Sequence, residues 1–245
     1  MFPTRAAMLV LALVATQPAS AAKLVFLIGE YEYGTRETLP QFAARNLTHH
    51  ECTFLHAKSD NRESPQRHFV PGMEAVEQAD LLVISLRRRA LPADDLERVR
   101  RHIAAGKGVV ALRTATHAFS LRGEDPPPGH AVWNDFDTAV LGAKYEGHLN
   151  NARSRVKPHW AFGHESFQDG GKLYEMTQLA DGVTVWATGR PVDETGPVYP
   201  IVWSRTADSG SRVFATTLGQ KTDFSEDAFV TMLLRGLDWA AGEDE

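Results

Sequence analysis

The first half of the chain alternates short apolar runs with segments of helical periodicity. The apolar runs cover residues 23–28, 52–55, 80–86 and 108–112. Runs of four to eight apolar residues are typical of strands buried on both faces. Helical patterns lie between them, around residues 39–47, 72–79 and 92–105. This alternation predicts a parallel sheet with helices on both faces.

The second half has a different pattern. A short helix is predicted around residues 136–141 and a final amphipathic helix over residues 226–241. The strand candidates between them are residues 153–157, 173–177, 183–187, 199–203 and 212–217. We expect these strands to add an antiparallel extension to a single α/β domain.

The N-terminal residues have the pattern of a secretory signal peptide. One positive charge, Arg5, precedes the apolar run Ala6–Ala15, and Ala19-Ser20-Ala21 is a small-x-small cleavage site. Ten apolar residues are too few for a stable membrane anchor. We therefore predict a signal peptide over residues 1–21, a single domain over residues 22–245, and a secreted or periplasmic protein.

Composition excludes several classes of function. The chain has 26 basic and 31 acidic residues among 245, a net charge of −5, which argues against a nucleic-acid partner. Its lone cysteine, Cys52, excludes an internal disulfide and any multi-cysteine metal site. The sequence contains no phosphate-binding glycine motif. The turn over residues 111–115 holds no glycine-framed serine or cysteine, so nucleophilic catalysis has no support there.

Polar residues follow the predicted parallel strands, and ligands of open parallel sheets bind beyond the carboxyl ends of the strands. Paired carboxylates and a histidine in such a crevice could transfer protons or hold a metal, while the arginines orient oxygens. The alternative, that each is a solvated loop residue, stays open. The predicted catalytic residues are Glu30, Glu32 and His117. The predicted substrate-binding residues are Tyr33, Thr35, Arg88, Arg113, Thr114, Thr116, His148 and Gln220.

Ten histidines raise the question of a metal, but none of them forms a tight ligand motif. His117 and His148 follow predicted strand or helix ends and are the better candidates. His102 lies on the polar face of its helix and is expected to be solvated. No cofactor is predicted with any specificity, and a divalent metal held by dispersed His and Glu residues stays open.

Several segments resemble the ThuA-like (trehalose-utilisation) family of the class I glutamine-amidotransferase-like superfamily. They are GEYEYGTRETLPQFA (29–43), LLVISLRRRALP (81–92), GKGVVALRTATHAF (106–119), WNDFDTAVLGAKYEGHLNN (133–151) and the tail from residue 197. The resemblance covers nearly the whole mature chain. It implies a flavodoxin-like sheet flanked by helices, no amidotransferase nucleophile, and a role in disaccharide or keto-sugar metabolism.

Two positions depart from that family pattern. A histidine more usually stands where this chain has Gln220, which weakens a metal or acid/base role there. The usual His-Pro before the late strands has no clear counterpart, and either His159-Trp160 or His164-Glu165 occupies that region.

Three functional hypotheses follow. The first is an enzyme, a sugar lyase, isomerase or hydrolase in which Glu30 or Glu32 and His117 move protons. The second is a non-catalytic sugar-binding module that uses the same crevice. The third is a protein-interaction domain with Trp133 and Trp160 as anchors. A small polar ligand, most simply a sugar, is the expected partner, and a homo-oligomer stays open.

Overall fold

The computed structural model describes residues 21–159 and 166–243, and it leaves out the side chains of residues 150–152. The first half follows the predicted alternation of strands and helices. Its elements are β1 (Lys23–Gly29), α1 (Thr35–Asn46), β2 (Glu51–His56), β3 (Leu81–Leu86), β4 (Leu91–Pro92), α2 (Ala93–Ala104) and β5 (Gly108–Leu112). Short 3₁₀ turns span Pro65–His68, Met73–Gln78 and Arg113–His117.

The second half is built mainly of strands. Its elements are β6 (His130–Ala131), β7 (Lys144–Pro158), β8 (Phe167–Thr177), β9 (Thr184–Pro191), β10 (Tyr199–Thr206), β11 (Arg212–Thr216) and α3 (Asp227–Ala241). A π turn covers Asp137–Leu141, and a 3₁₀ turn covers Asp223–Ser225. None of the helices in the described ranges is long and apolar enough to cross a membrane.

Nine of the described strands form one mixed sheet in the order β2-β1-β3-β5-β11-β10-β9-β7-β8, while β4 and β6 pair separately. The strands from β2 to β11 in this order are parallel. The strands from β11 to β8 pair antiparallel. The predicted fold class, a flavodoxin-like parallel sheet flanked by helices with additional strands in the C-terminal half, is confirmed.

The apolar core lies on both faces of the sheet, because successive side chains of a strand point in opposite directions. In β1, Phe26 packs on the face covered by α1 and α3, in the same apolar cluster as Leu39 and Phe229. Leu27 packs on the opposite face, which is covered by α2 and the turn at Met73. This two-sided burial explains why the central strands read as continuous apolar runs.

Two expectations needed correction. His102 is buried, and the expectation that it is solvated was wrong: its Nε2 lies 2.9 Å from the carbonyl oxygen of Gly108, where α2 crosses the start of β5. The strand predicted over residues 153–157 is only the second part of β7. Residues 144–152 are mostly polar, so they carry no apolar alternation that would have extended the prediction.

Candidate functional site

A cavity of about 510 Å³ lies beyond the carboxyl ends of the parallel strands. Glu32 and Tyr33 reach it from the loop after β1, His117 from the turn after β5, and Gln220 from the loop after β11. The opposite wall comes from the β7–β8 hairpin, which contributes His148 and other residues described below. Strand topology therefore brings together residues that are far apart in sequence, as the crevice rule predicts.

Glu30 lies beneath this cavity and does not line it. Its side chain is buried, and its Oε2 accepts hydrogen bonds from the backbone N–H groups of Glu32 and Tyr33, both at 2.7 Å. Its Oε1 accepts from the backbone N–H (2.8 Å) and the hydroxyl (2.6 Å) of Thr35. Both oxygens are thus committed to the loop over residues 31–35. The geometry gives Glu30 a positioning role instead of contact with a ligand.

Glu32 lines the cavity in an ion pair with Arg87. Its Oε1 lies 3.2 Å from Nη2 of Arg87, and the Arg87 Nη1 donates to the hydroxyl of Tyr31 at 2.6 Å. The two glutamates do not point the same way, because the chain turns after β1 instead of continuing extended. Glu32 is therefore the carboxylate that the described residues offer to the cavity, and an arginine holds it.

His117 presents an imidazole nitrogen to the cavity. The hydroxyl of Thr116 donates to the carbonyl oxygen of Arg113 at 3.1 Å, and the same hydroxyl lies 3.0 Å from Nδ1 of His117. Because that hydroxyl hydrogen is already used, Nδ1 carries the proton and donates, which leaves the lone pair on Nε2. Burial, reinforced by the positive charges of Arg88, Arg87 and Arg122, holds the pKa of His117 well below its usual value. The imidazole is therefore neutral near pH 7.

Aromatic rings surround His117. The ring of Tyr145 stacks on His117 with centroids 4.5 Å apart, and Tyr174 lies 5.0 Å from Tyr145. The ring centroid of His148 lies 6.3 Å from that of Tyr174. Burial raises the pKa of both tyrosines, so their phenols stay protonated and can donate. The group offers flat apolar surfaces with polar edges, which suits a sugar ring.

Arg113 lies under the cavity floor, in the turn that follows β5. Its φ of 44° is in the left-handed region, which a non-glycine residue rarely adopts. Nη1 donates to the carbonyl oxygen of Thr217 at 2.6 Å, and the guanidinium lies 4.1 Å from the ring centroid of Tyr33. Burial works against its charge, but Tyr174 and Asp169 more than offset that effect and raise its pKa. Arg113 thus does not line the cavity itself, and it supports the rings of Tyr33 and Tyr174, which do.

A pair of glycines allows this packing. A Cβ on Gly171 would lie 1.7 Å from Nη2 of Arg113, and one on Gly170 would lie 1.8 Å from Nε2 of Gln220. Asp169, just before them, lies 3.5 Å from Arg113 and accepts from the Ser154 hydroxyl at 3.0 Å. Glycine at both positions lets the β8 backbone close directly over the two side chains.

The three consecutive arginines after β3 separate into different roles. Arg87 faces the cavity, as described above. Arg88 is half-buried with φ 50°, its Nη1 lies 3.5 Å from the Ser120 carbonyl oxygen, and its Nε has no partner among the described residues. Arg89 is fully buried and donates to the carbonyl oxygens of Gly29, Ser59 and Arg67. Those bonds join the segment after β3 to the end of β1 and to the segment between β2 and β3.

The remaining predicted residues are buried near the cavity without lining it. Thr35 bonds to Glu30, Thr116 bonds to His117, and Thr114 is buried with no partner for its hydroxyl in the described part of the chain. Sequence reasoning missed eight of the lining residues in the described part of the chain. Arg87 directly follows β3, where its neighbour Arg88 was predicted instead, and the other seven do not directly follow a parallel strand. The eight are Arg87, Arg122, Tyr145, Arg153, Gly170, Gly171, Lys172 and Tyr174.

No set of metal ligands gathers at the cavity in the described residues. The one group of His, Cys, Asp or Glu ligand atoms within 4.8 Å of one another there is His50, Asp238 and Glu243. It lies at the amino end of the sheet, away from His117 and His148. The described residues at the cavity therefore do not fit a metal, and we assign no step to one. His164, Glu165 and Trp160 lie outside the described residues.

Comparison with known proteins places this geometry in a family. The sequence model for ThuA, described as trehalose utilisation, matches residues 32–240. A ThuA-like protein from Parabacteroides merdae has a TM-score of 0.60 at 16% identity, with 90% of each chain covered. One from Bacteroides uniformis has a TM-score of 0.59 at 11% identity, covering 92% of this chain and 95% of that one.

Part of a larger enzyme shares the fold as well. A β-galactosidase from Rahnella sp. R3 has a TM-score of 0.53 at 16% identity over 87% of this chain and 31% of its own. No curated protein matches the chain in sequence. The family match covers most of the chain, and the chain therefore belongs to the ThuA (trehalose utilisation) family.

Proposed function

We propose that this protein is a carbohydrate-converting enzyme whose cavity binds a sugar and transfers protons on it. The observation that carries the proposal is the neutral His117, whose Nε2 lone pair faces a cavity walled by Tyr33, Tyr145 and Tyr174. A volume of about 510 Å³ is within the range of small-molecule sites. Family membership supports a sugar as the ligand.

Isomerase or lyase chemistry fits these residues better than glycoside hydrolysis. Glycosidases generally use two carboxyl groups on opposite sides of the scissile bond. Here Glu30 is fully occupied by its own loop, and Glu32 is paired with Arg87. One imidazole base and protonated phenols instead suit the removal of a proton next to a carbonyl group.

The roles follow from the positions of the groups. Nε2 of His117 takes a proton from a carbon next to the substrate carbonyl, and Tyr145 donates a hydrogen bond to the oxygen that gains charge. In an isomerisation the imidazolium returns that proton to the neighbouring carbon, while a hydroxyl proton passes between the two oxygens. Glu32, which Arg87 holds in an ion pair, accepts a hydrogen bond from a sugar hydroxyl. No covalent intermediate is needed.

The test is solvent deuterium exchange. The protein is incubated in D₂O with a panel of aldoses, ketoses and reducing disaccharides, and NMR follows deuterium at carbons next to carbonyl groups. We expect incorporation into at least one sugar, and His117→Gln should slow it by about 10²–10⁴-fold while binding persists in a thermal-shift assay. Cys52→Ser, on the edge strand β2, is the control and should exchange like the parent.

A non-catalytic sugar-binding module is the alternative, since the same aromatic walls would hold a sugar without turning it over. Sugar binding with no exchange or product for any sugar in the panel would favour this alternative. The interaction-domain hypothesis has less support: Trp133 is half-buried beneath the Arg100 guanidinium, which lies 4.1 Å from its ring centroid.

Secretion or periplasmic location is part of the proposal. The signal peptide over residues 1–21 lies almost wholly outside the described residues, so it stays a prediction. N-terminal sequencing of the protein from the cell envelope should begin at Ala22 or Lys23, and a cytoplasmic product that keeps Met1 would contradict it.

A further inference from the structure

The cavity carries a positive charge that the chain as a whole does not. Among the described lining residues, Arg87, Arg122, Arg153 and Lys172 are cationic, and Glu32 is the lone carboxylate. The formal balance of the lining is four positive charges against one negative, or +3, in a chain whose net charge is −5. A cleft of one sign of charge concentrates ligands of the opposite sign.

Three of these cations have no carboxylate to neutralise them. Arg87 pairs with Glu32, whereas Arg122, Arg153 and Lys172 form no ion pair with any carboxylate in the described residues. Arg153 and Lys172 are direct cross-strand partners in the β7–β8 hairpin. Like charges directly opposite each other destabilise an antiparallel pair. The hairpin therefore tolerates a local repulsion at the cavity rim, which a bound anion would relieve.

The positive potential extends inward to the proposed base. Arg88, Arg87 and Arg122 all act to lower the pKa of His117, after the effect of burial. Arg88 adds a half-buried guanidinium whose Nε has no partner among the described residues. A neutral sugar offers these groups hydroxyl oxygens alone, while an oxyanion offers charge-assisted hydrogen bonds of about twice the strength.

We propose that the ligand of this cavity is an anionic sugar, with its carboxylate or phosphate held by Arg122, Arg153 and Lys172 and its ring against Tyr145 and Tyr174. The inference rests on the proposed function, because it names the substrate class of the same site. Binding of the anion also offsets the arginine charges around His117 and makes the imidazole a stronger base when the substrate is present.

Calorimetric titration at low and high salt tests the charge of the ligand. The probes are glucose, gluconate, glucuronate, glucose 6-phosphate and inorganic phosphate. We expect at least one anionic sugar to bind about tenfold or more tightly than glucose, and its affinity to fall as salt rises. Preference for glucuronate or gluconate identifies a sugar acid, while preference for glucose 6-phosphate identifies a phosphorylated sugar.

Substitutions on the hairpin locate the anion. Arg153→Gln and Lys172→Gln should each weaken the anionic sugar about tenfold and leave glucose unchanged. Lys144→Gln is the control, since Lys144 lies on the same hairpin, is paired with Glu146 at 2.8 Å and is not among the lining residues. Equal loss in the control, or no loss at Arg153 and Lys172, would overturn the proposal.

The two proposals fail differently. If glucose binds as well as the anionic sugars, the anionic ligand is wrong and the sugar-binding function stands. If inorganic phosphate binds and no sugar binds more tightly than it does, the oxyanion site stands and the carbohydrate function is wrong. If none of the probes binds, the anionic ligand is wrong, and the deuterium-exchange panel decides the carbohydrate function separately.

Discussion

His117 and Tyr145 stack with their ring centroids 4.5 Å apart and their planes inclined by 25°. The two residues come from different parts of the fold, the turn after β5 and the start of β7. The contact joins a neutral imidazole with a free Nε2 to a protonated phenol, which is a base beside an acid. This pairing depends on the antiparallel extension of the sheet, because the parallel part alone supplies His117 without its partner.

Replacement of Tyr145 by phenylalanine separates the ring from the hydroxyl. Tyr145→Phe keeps the stack on His117 and removes the hydroxyl that is proposed to donate to the developing oxyanion. We expect turnover in the deuterium-exchange assay to fall about 10²-fold or more with little change in sugar affinity. Unchanged turnover would assign Tyr145 a packing role alone. A Tyr145→Ala variant, which also removes the stack on His117, should lose sugar affinity as well.

Glu30→Gln tests whether Glu30 acts on the substrate or on its own loop. The carboxylate accepts four hydrogen bonds, and a glutamine amide would turn its NH₂ group toward donors. We expect the free energy of unfolding to fall by about 1–3 kcal/mol, as for other buried groups that lose a partner. Turnover should fall with the order of the loop, while the pH profile of kcat keeps its shape. A stable variant with a shifted pH profile would instead indicate direct catalysis.

Gly171→Ala tests the close approach of β8 to Arg113. The added Cβ would lie 1.7 Å from Nη2, and Arg113 is 1% exposed with no room to move aside. We expect a loss of about 1–3 kcal/mol or more in the free energy of unfolding, because overpacking displaces the guanidinium from Thr217 and Asp169. Urea denaturation measures it.

The control for that substitution is Gly123→Ala. Gly123 has φ 89° and nothing within 4 Å of a Cβ, so it tests the cost of the backbone conformation without a clash. We expect a loss of about 1–2 kcal/mol there. A Gly171→Ala protein no less stable than this control would show that the Arg113 packing is not rigid.

The fold and one wall of the cavity could be predicted from the sequence. The runs at β1, β3 and β5 are buried on both faces, so their composition alone marks them as central parallel strands. The rule for strand ends then located Glu32, Tyr33, His117 and Gln220 at the cavity. The other wall could not be located in this way. Tyr145, Arg153 and Tyr174 lie on a long polar hairpin whose place against the parallel strands is set by tertiary pairing.

The sequence did not predict which of several neighbouring, identical side chains is buried. Glu30 and Glu32 are two residues apart and chemically identical, yet one is enclosed by its loop and the other lines the cavity. Arg89, the last of three identical residues, is the structural one because its guanidinium meets three carbonyl oxygens. Such distinctions depend on backbone turns, which local composition does not encode.

Buried histidines make the stability of the fold sensitive to mild acid. Burial, together with the nearby Arg67, Arg89 and His130 charges, lowers the pKa of His68 from 6.5 to about 4. In the unfolded chain this histidine takes up a proton below pH 6.5, while in the folded state it stays neutral to about pH 4. The unfolded state therefore binds more protons in this window, and stability falls as the pH falls.

His68→Asn isolates this contribution. Asparagine offers an acceptor oxygen near the place of Nδ1, which accepts from the backbone N–H of Ala90 at 3.0 Å, but it does not titrate. Between pH 6.5 and about 4 the parent should lose up to about 1.4 kcal/mol per pH unit more than the variant. Urea denaturation at pH 7.5, 6.0 and 5.0 gives the two slopes. Asp223, whose pKa burial raises to about 7, acts in the opposite direction but equally in both proteins. The difference in slope therefore belongs to His68, and parallel slopes would contradict the prediction.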